Sequence, residues 1–362
     1  MKIAVNSRIY QNPNTGIPNY VKSIYSKLIE IDKMNDYIFF QTNNNKTIGK
    51  TKIIRLKETN LCNTLFDLFL INKLISKEIN FKIFHGVSNI LPFFKKKGIK
   101  YIVTVHDLSF LIFPKNHNKL FNLYYYYIVK ISLNNADIIV ADSLNTKKDI
   151  IRFYNIPKDK IKVVYLGVNN LFFEPKTKKR LIKDKYFFSI TTHLERKNIF
   201  SILKVLAKNK TLHDFKYLIV GNIDKIQFKK LNMEIEKLNL KDRIILFGYA
   251  SEEELINLYQ NTEFFIYPSF YEGFGLPVIE AMACKCPVIT SNNSSLIEIT
   301  PNKDWLINPY DLKDIEKKME MLLDLSKSER KKLIENNYKF AKKFTWDNTA
   351  KKMIKIFGGL KK

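Results

Sequence analysis

The feature that most constrains this chain is an alternation, kept up from end to end, of short apolar runs with longer stretches of helical spacing. The short runs are rich in Ile, Val, Phe and Tyr, and have the length of buried strands. In the first half they fall at Ile3–Val5, Tyr37–Gln41, Ile53–Leu56, Ile83–Phe84, Tyr101–Val105, Ile138–Ala141 and Lys162–Tyr165. In the second half they fall at Tyr186–Thr191, Lys216–Val220, Arg243–Phe247, Glu263–Tyr267, Pro287–Thr290 and Trp305–Ile307. Between them, apolar residues three and four apart predict helices such as Gln227–Leu238, Glu252–Tyr259 and Leu312–Leu325. Strands alternating with helices build parallel sheets covered on both faces, so the fold class is α/β. A length of 362 residues exceeds one typical core and suits two domains. The stretch Asn169–Asp184 carries Pro175 and the cluster Lys176, Lys178, Lys179 and Arg180, and it separates the two strand series. It reads as a linker, with a solvated loop as the alternative; the Asn43–Asn45 run reads as a loop.

Composition narrows the function classes. No apolar run reaches spanning length, and Met1–Val5 reads as a first buried strand rather than a signal peptide, so a cytoplasmic protein is expected. Cys62, Cys284 and Cys286 are too few for a disulfide framework, and Cys284-Lys285-Cys286 has no second ligand pair, so buried thiols are expected. The net charge of +26 is uneven: residues 1–180 hold 30 Lys and Arg against 12 Asp and Glu, and residues 181–362 hold 31 against 23. Enrichment in Lys, Ile and Asn together is what an A/T-rich coding genome gives. A basic first half would also attract an acidic polymer, an anionic membrane or a phosphorylated acceptor. Phe93-Phe94-Lys95-Lys96-Lys97 joins apolar and basic groups, as a surface-binding segment could, and fits a strand-end loop equally well. Tyr124–Tyr127, within a helical stretch, reads as a packed face. No nucleic-acid-binding module is recognisable, and no nucleic acid partner is expected.

The chemistry concentrates in Tyr267-Pro268-Ser269-Phe270-Tyr271-Glu272-Gly273-Phe274-Gly275-Leu276-Pro277-Val278-Ile279-Glu280-Ala281-Met282-Ala283. A buried strand runs into a glycine-bearing turn, and a helix opens near Leu276, where Pro277 suits the first turn. Gly273 and Gly275 let a ligand approach the main chain. The unpaired N–H groups and positive dipole end of that helix suit a phosphate. Carboxylates accept hydrogen bonds from sugar hydroxyls, so Glu272 and Glu280 flanking an anion-binding turn point to a sugar joined to phosphate. A tight turn with solvated acids is the plainer alternative. Arg196 and Lys197 follow another strand and could stabilise a departing diphosphate. His106 follows the strand Tyr101–Val105, at the strand end where such sheets bind ligands; a His-Asp pair capping a helix is the alternative.

This string resembles the signature of family 4 retaining glycosyltransferases, with two glutamates separated by seven residues. Pro287-Val288-Ile289-Thr290-Ser291-Asn292, Ser294-Ser295-Leu296-Ile297-Glu298, Phe247-Gly248-Tyr249, Phe344-Thr345-Trp346, Thr104-Val105-His106-Asp107-Leu108 and Thr15-Gly16-Ile17 extend the likeness over most of the chain, closest to mannosyltransferase-like bacterial members. The resemblance implies a GT-B fold: two Rossmann-like domains with parallel sheets facing a central cleft. Residues 1–170 would be an acceptor-binding domain, 171–345 a nucleotide-sugar-binding domain, and 346–362 a helix returning to the first. It implies that Glu280 binds the ribose and Glu272 the transferred sugar. Phe274, Gly275 and Leu276 would contact sugar and phosphate, and Arg196 and Lys197 would face the diphosphate. Gly16 would let the backbone approach the diphosphate or acceptor. His106 would lie near the anomeric carbon, to position the donor, hydrogen-bond the acceptor or accept a proton.

The chain departs from the pattern at Pro18 and Lys285, where glycines are common, and over Pro301–Ile307, which is short. No Asp-x-Asp motif occurs, so no metal or other cofactor is expected, with Arg196 and Lys197 serving the diphosphate. The expected activity is metal-independent retaining hexosyl transfer, with GDP-mannose the leading donor, to a cell-surface glycan or its lipid-linked precursor. It would take place in the cytoplasm, with peripheral contact at the inner face of the membrane. A nucleotide-sugar epimerase or a phosphorylase of the same architecture, and a basic nucleic-acid-binding protein, are the competing readings.

Overall fold

The computed structural model describes residues 1–7, 16–42, 52–56, 80–114, 118–174 and 180–360. Thr15, Asn43–Asn45, Cys62, Pro175, Lys176, Lys178 and Lys179 lie outside the described residues. The chain divides into two compact units, one of Met1–Gly167 with Thr345–Lys362, the other of Val168–Phe344.

Unit 1 is built on a parallel sheet of β1 (Lys2–Asn6), β2 (Asp36–Thr42), β3 (Lys52–Leu56), β4 (Ile83–Gly86), β5 (Lys100–Val105), β6 (Ile138–Ala141) and β7 (Ile161–Val163), in the order β3-β2-β1-β4-β5-β6-β7. The order reverses between β1 and β4, which is the switch point where doubly wound sheets open a crevice at their carboxyl ends. Its helices are α1 (Gly16–Ile31), α2 (Ser109–Ile112), α3 (Lys119–Asn135) and α4 (Leu144–Tyr154). Inside, Phe84, Tyr101, Val103, Val129, Leu133, Ile139 and Ile150 form one buried cluster. Each such side chain contributes about 1.5–3 kcal/mol by leaving water.

Unit 2 repeats the plan with β8 (Tyr186–Ile190), β9 (Lys216–Val220), β10 (Ile244–Gly248), β11 (Phe265–Tyr267), β12 (Val288–Ser291) and β13 (Leu306–Ile307), in the order β10-β9-β8-β11-β12-β13 and all parallel. Its helices are α5 (Ile199–Lys208), α6 (Lys225–Lys237), α7 (Glu252–Asn261), α8 (Leu276–Ala283), α9 (Leu312–Leu323) and α10 (Lys327–Ala341). Local chemistry sets the helix starts. Ser251 with Glu254 opens α7, and Ser326 with Glu329 opens α10, each as a reciprocal capping box. Asp224 accepts two backbone N–H bonds at the start of α6.

The last helix, α11 (Trp346–Gly359), belongs to unit 1, where it packs along α1. Gly167 permits the chain to pass there: a Cβ on it would lie 2.2 Å from the Trp346 backbone nitrogen. The Tyr124–Tyr127 run is not one packed face. Tyr125 and Tyr126 pack on the core, whereas Tyr124 and Tyr127 are exposed, because consecutive helical residues turn by about 100°. No helix among the described residues is long and apolar enough to cross a membrane.

Candidate functional site

In unit 2, β11 delivers the chain into the turn Pro268–Gly275, and α8 leaves from it. Gly275 caps α8 in a left-handed conformation, φ +102°, which an L side chain rarely adopts. A Cβ there would also meet Leu296 at 2.7 Å and Ile299 at 2.9 Å. The neighbouring segment holds the turn from below. The Ser295 hydroxyl donates to the carbonyls of Glu272 and Phe274 at 2.9 and 2.8 Å, and the Glu272 N–H donates to Ser294 Oγ at 3.0 Å. Asn293 Nδ2 donates to the carbonyls of Ser269 and Phe270. Gly273, Phe274 and Gly275 are buried and Leu276 opens the helix.

Arg196 and Lys197 come to this turn from the loop after β8. The Phe270 N–H donates to the Arg196 carbonyl at 2.9 Å, which ties the two loops together. Arg196 donates to the Tyr271 carbonyl at 3.1 Å and to Glu272 Oε2 at 3.3 Å. Lys197 Nζ donates to Glu272 Oε1 at 2.6 Å and to the Tyr267 hydroxyl, and lies over the Tyr267 ring. Burial alone would raise the Glu272 carboxyl; Lys197 and Arg196 outweigh it and hold it below the ordinary range. Two cations facing one carboxylate leave a surplus positive charge beside the amino end of a helix, an arrangement suited to an anion.

Glu280 lies one turn further along, half-buried on α8. Burial, with Glu252 adding, pushes its carboxyl up to about 7, and a hydrogen bond from Tyr259 partly offsets this. Tyr267 sits in the fields of Glu272, Arg196 and Glu280 alike, so the two glutamates share one neighbourhood. Lys285, just past the helix, takes the left-handed conformation with φ +59°, and its ammonium lies over the Tyr338 ring at 5.1 Å.

In unit 1, His106 stands at the carboxyl end of β5. Its Nδ1 lies 2.7 Å from Asp142 Oδ2 and its Nε2 2.8 Å from the Val87 carbonyl. The Val87 carbonyl can only accept, so Nε2 donates to it, and one proton is shared between Nδ1 and the Asp142 carboxylate. Burial opposes the charged ring, but Asp142, with Val87 and Asp107 adding, raises His106 above its ordinary value. Burial also raises Asp142, against the pull of His106, and both shifts keep the shared proton in place. The Tyr20 ring meets His106 edge-on at 4.8 Å. Asp107 accepts from the Ser109 N–H ahead of the N-cap residue Leu108, which itself makes no side-chain cap on α2. Gly16 is the first residue of α1, exposed, and among the described residues nothing lies within 4 Å of where its Cβ would be.

The structure therefore brings Arg196, Lys197, Glu272 and the turn Gly273–Leu276 together, with Glu280 on the helix they open. His106 and Gly16 belong to unit 1. Sequence reasoning missed Asp142 and Tyr267 as partners. Asp142 was findable, since it follows β6 at the same sheet edge as His106 follows β5.

Both units have the doubly wound topology of a two-domain transferase, and comparison with known proteins identifies which. Residues 172–340 match the family described as Glycosyl transferases group 1, and residues 41–170 match Glycosyltransferase Family 4. O-antigen chain mannosyltransferase B of Escherichia coli is 30% identical over 285 residues, covering 76% of this chain and 74% of that protein. O-antigen chain mannosyltransferase RfbU of Salmonella typhimurium is 31% identical over 214 residues, covering 58% of this chain and 57% of its own length. Among solved structures, sucrose-phosphate synthase from Thermosynechococcus elongatus superposes with TM-score 0.82 at 19% identity, over 99% of both chains. Anabaena Alr3699/HepE, solved in complex with UDP-glucose, superposes with TM-score 0.75 at 14% identity, over 99% of this chain and 100% of its own. The chain belongs to glycosyltransferase family 4, the retaining group 1 enzymes, and has the GT-B fold.

Proposed function

We propose that this glycosyltransferase moves a hexose, with mannose from GDP-mannose the leading donor, onto a cell-surface glycan or its lipid-linked precursor. The observation that carries the reading is the Arg196–Lys197–Glu272 cluster at the glycine-capped start of α8, with Glu280 one turn on. Unit 2 would bind the nucleotide sugar and unit 1 the acceptor. Glu280 takes the ribose hydroxyls, Glu272 the hydroxyls of the transferred sugar, and the main chain of Phe274, Gly275 and Leu276 the sugar and phosphate. The diphosphate meets Arg196 and Lys197, whose attraction strengthens as the leaving group gains charge. The choice of mannose is supported by the relatives named for O-antigen mannosyl transfer.

Retention follows from attack on the face that the leaving group departs. The acceptor hydroxyl oxygen bonds to the anomeric carbon, the bond from that carbon to the phosphate oxygen breaks, and the hydroxyl proton passes to that phosphate. His106, with both ring nitrogens engaged by Asp142 and the Val87 carbonyl, serves to hold positive charge at the end of β5 rather than to accept the acceptor's proton. Arg196 and Lys197 do the electrostatic work a divalent ion does elsewhere, so activity should survive EDTA. A lipid-linked acceptor would bring the enzyme to the inner face of the membrane, with the chain itself in the cytoplasm.

The test is a nucleotide-sugar screen that measures diphosphate release with and without a glycan-lipid acceptor extract. Acceptor-dependent GDP release, lost in Glu280→Ala, is expected. Release of another diphosphate overturns mannose. Consumption of donor without acceptor marks an epimerase, and no turnover or binding of any nucleotide sugar overturns the reading.

A further inference from the structure

Helix α8 ends in a Schellman turn. The Cys286 N–H donates to the Ala281 carbonyl at 2.9 Å and the Lys285 N–H to the Met282 carbonyl at 3.1 Å, which puts Lys285 at the left-handed position that glycine usually fills. Among the described residues, the other non-glycine residues with positive φ are four asparagines and Ser294, so Lys285 is the one with a long side chain. Asparagine tolerates that conformation, whereas lysine is strained in it. A strained residue persists where contacts beyond the turn retain it.

The Lys285 side chain leads into a groove of about 420 Å³ along α10. That volume falls within the roughly 300–1,000 Å³ of small-molecule sites. Lys327, Lys331 and Lys339 line the groove from α10, exposed like Lys285, and half-buried Ile334 and Tyr338 form its apolar part. Residues 327, 331, 334 and 338 have the spacing of one helical face. Arg330 is held in place, donating to the Glu263 carbonyl and, at 3.3 Å, to Glu263 Oε2. Glu335 is the single carboxylate in the lining. Among the described residues, no carboxylate pairs with Lys285, Lys327, Lys331 or Lys339 within 4 Å. A concave surface with four unpaired cations concentrates anions.

We propose that the groove between Lys285 and α10 is a separate anion site on unit 2, for a small molecule that carries two or more phosphate groups. Lys327 and Lys339 are twelve residues apart on one helix, a separation of about 18 Å, which a single phosphate cannot bridge. Phosphate oxygens accept charge-assisted hydrogen bonds from the ammonium groups, and the carbon part of the ligand lies on Ile334. The turn Pro268–Gly275 is a different place: it lies at the start of α8, and Lys285 lies beyond the end of that eight-residue helix, about 12 Å away. The proposal goes beyond the transferase reading and does not depend on it. Inorganic polyphosphate and phosphorylated metabolites share the required chemistry.

Calorimetric titration of the full chain with tripolyphosphate and with fructose 1,6-bisphosphate, at low and physiological salt, tests the site and separates the two sources. The variant Lys285→Gly, Lys331→Gln, Lys339→Gln should bind the tighter of the two at least ~10-fold more weakly at this site, because three charge-assisted contacts are gone. Any binding at Arg196 and Lys197 is common to all the variants. Lys285→Gly alone should weaken binding while Tm stays level or rises, since glycine releases the left-handed strain. A lysine with only a structural role would not give that pair of changes. Lys158→Gln, Lys162→Gln, Lys355→Gln removes as much exposed charge from unit 1 and should leave binding intact. Acceptor-dependent diphosphate release should survive in the groove variant, so the two readings fail separately. The proposal is overturned by a wild type that binds neither compound at low salt, or by a groove variant that binds like wild type. It is equally overturned if the unit 1 variant loses as much binding, or if a poly-glutamate peptide occupies the groove more tightly than either phosphate compound.

Discussion

Glu272 and Glu280 have the same side chain and opposite electrostatics. Glu272 is buried against Arg196 and Lys197 and stays ionised, whereas Glu280 is pushed up to about 7 by burial and Glu252. In the role proposed for it, a neutral Glu280 would have an O–H that competes with its acceptor role, whereas an ionised one would accept from both ribose hydroxyls. Donor affinity should therefore tighten as pH rises through about 7, and calorimetric titration of nucleoside diphosphate at several pH values checks it. Glu280→Gln should flatten that dependence. The stability effect has the reverse sign. A carboxyl raised above its ordinary 4.5 favours the folded state most at low pH and withdraws that contribution as pH climbs to about 7. His106 offers a second measurement at this scale. In Asp142→Asn the ring loses the charge that raises it, while Tyr20, Asp107 and the buried His85 still surround it, and burial then dominates. Ring nitrogen NMR should show His106 titrating at lower pH in the variant than in the wild type. An unchanged titration would contradict the part given to Asp142.

At the level of elements, the turn between β11 and α8 carries most of the site. Its shape comes from Gly275 at one end and the Ser294–Ser295 hydroxyls beneath it. Gly275→Ala would force a side chain into the left-handed region and against Leu296 and Ile299. A loss of about 2–3 kcal/mol is expected, measured by urea unfolding, with weaker binding of the nucleotide sugar. Lys285 is a non-glycine residue in the same region of backbone space, and its placement over Tyr338 offsets part of that strain.

For the molecule as a whole, unit 1 is discontinuous in sequence. Helix α11 follows the whole of unit 2 in sequence yet completes the first unit: Ala350, Met353 and Phe357 are buried, the Phe357 ring meets Tyr37 at a tilt and His85 edge-on, and Thr349 donates to the Tyr165 carbonyl at 2.8 Å. Truncation after Phe344 should expose that side of α1 and destabilise unit 1 while leaving the core of unit 2 protected. Hydrogen exchange followed by peptide mass analysis would show it. Equal loss of protection in both units would mean that they unfold as one.

The sequence by itself determined the strands and their chemistry. Strand positions were legible because a parallel strand buried on both faces must be apolar throughout, and a run such as Tyr186–Ile190 has no other use. The turn Tyr271–Leu276 was legible because its two glycines and its acid, followed by Pro277 in the first helical turn, suit anion binding at a helix start. Tertiary structure alone decided the rest. The meeting of Arg196 and Lys197 with Glu272 joins residues some 75 positions apart, and His106 and Asp142 are 36 apart. Such pairs depend on which strands lie side by side, and strand order leaves no mark on local composition. The exposed side of α3 was hidden for the same reason. Leu120, Leu123 and Tyr127 have the pattern of a core face, and only the packing of Val129 and Leu133 on the sheet shows which side of the helix faces water.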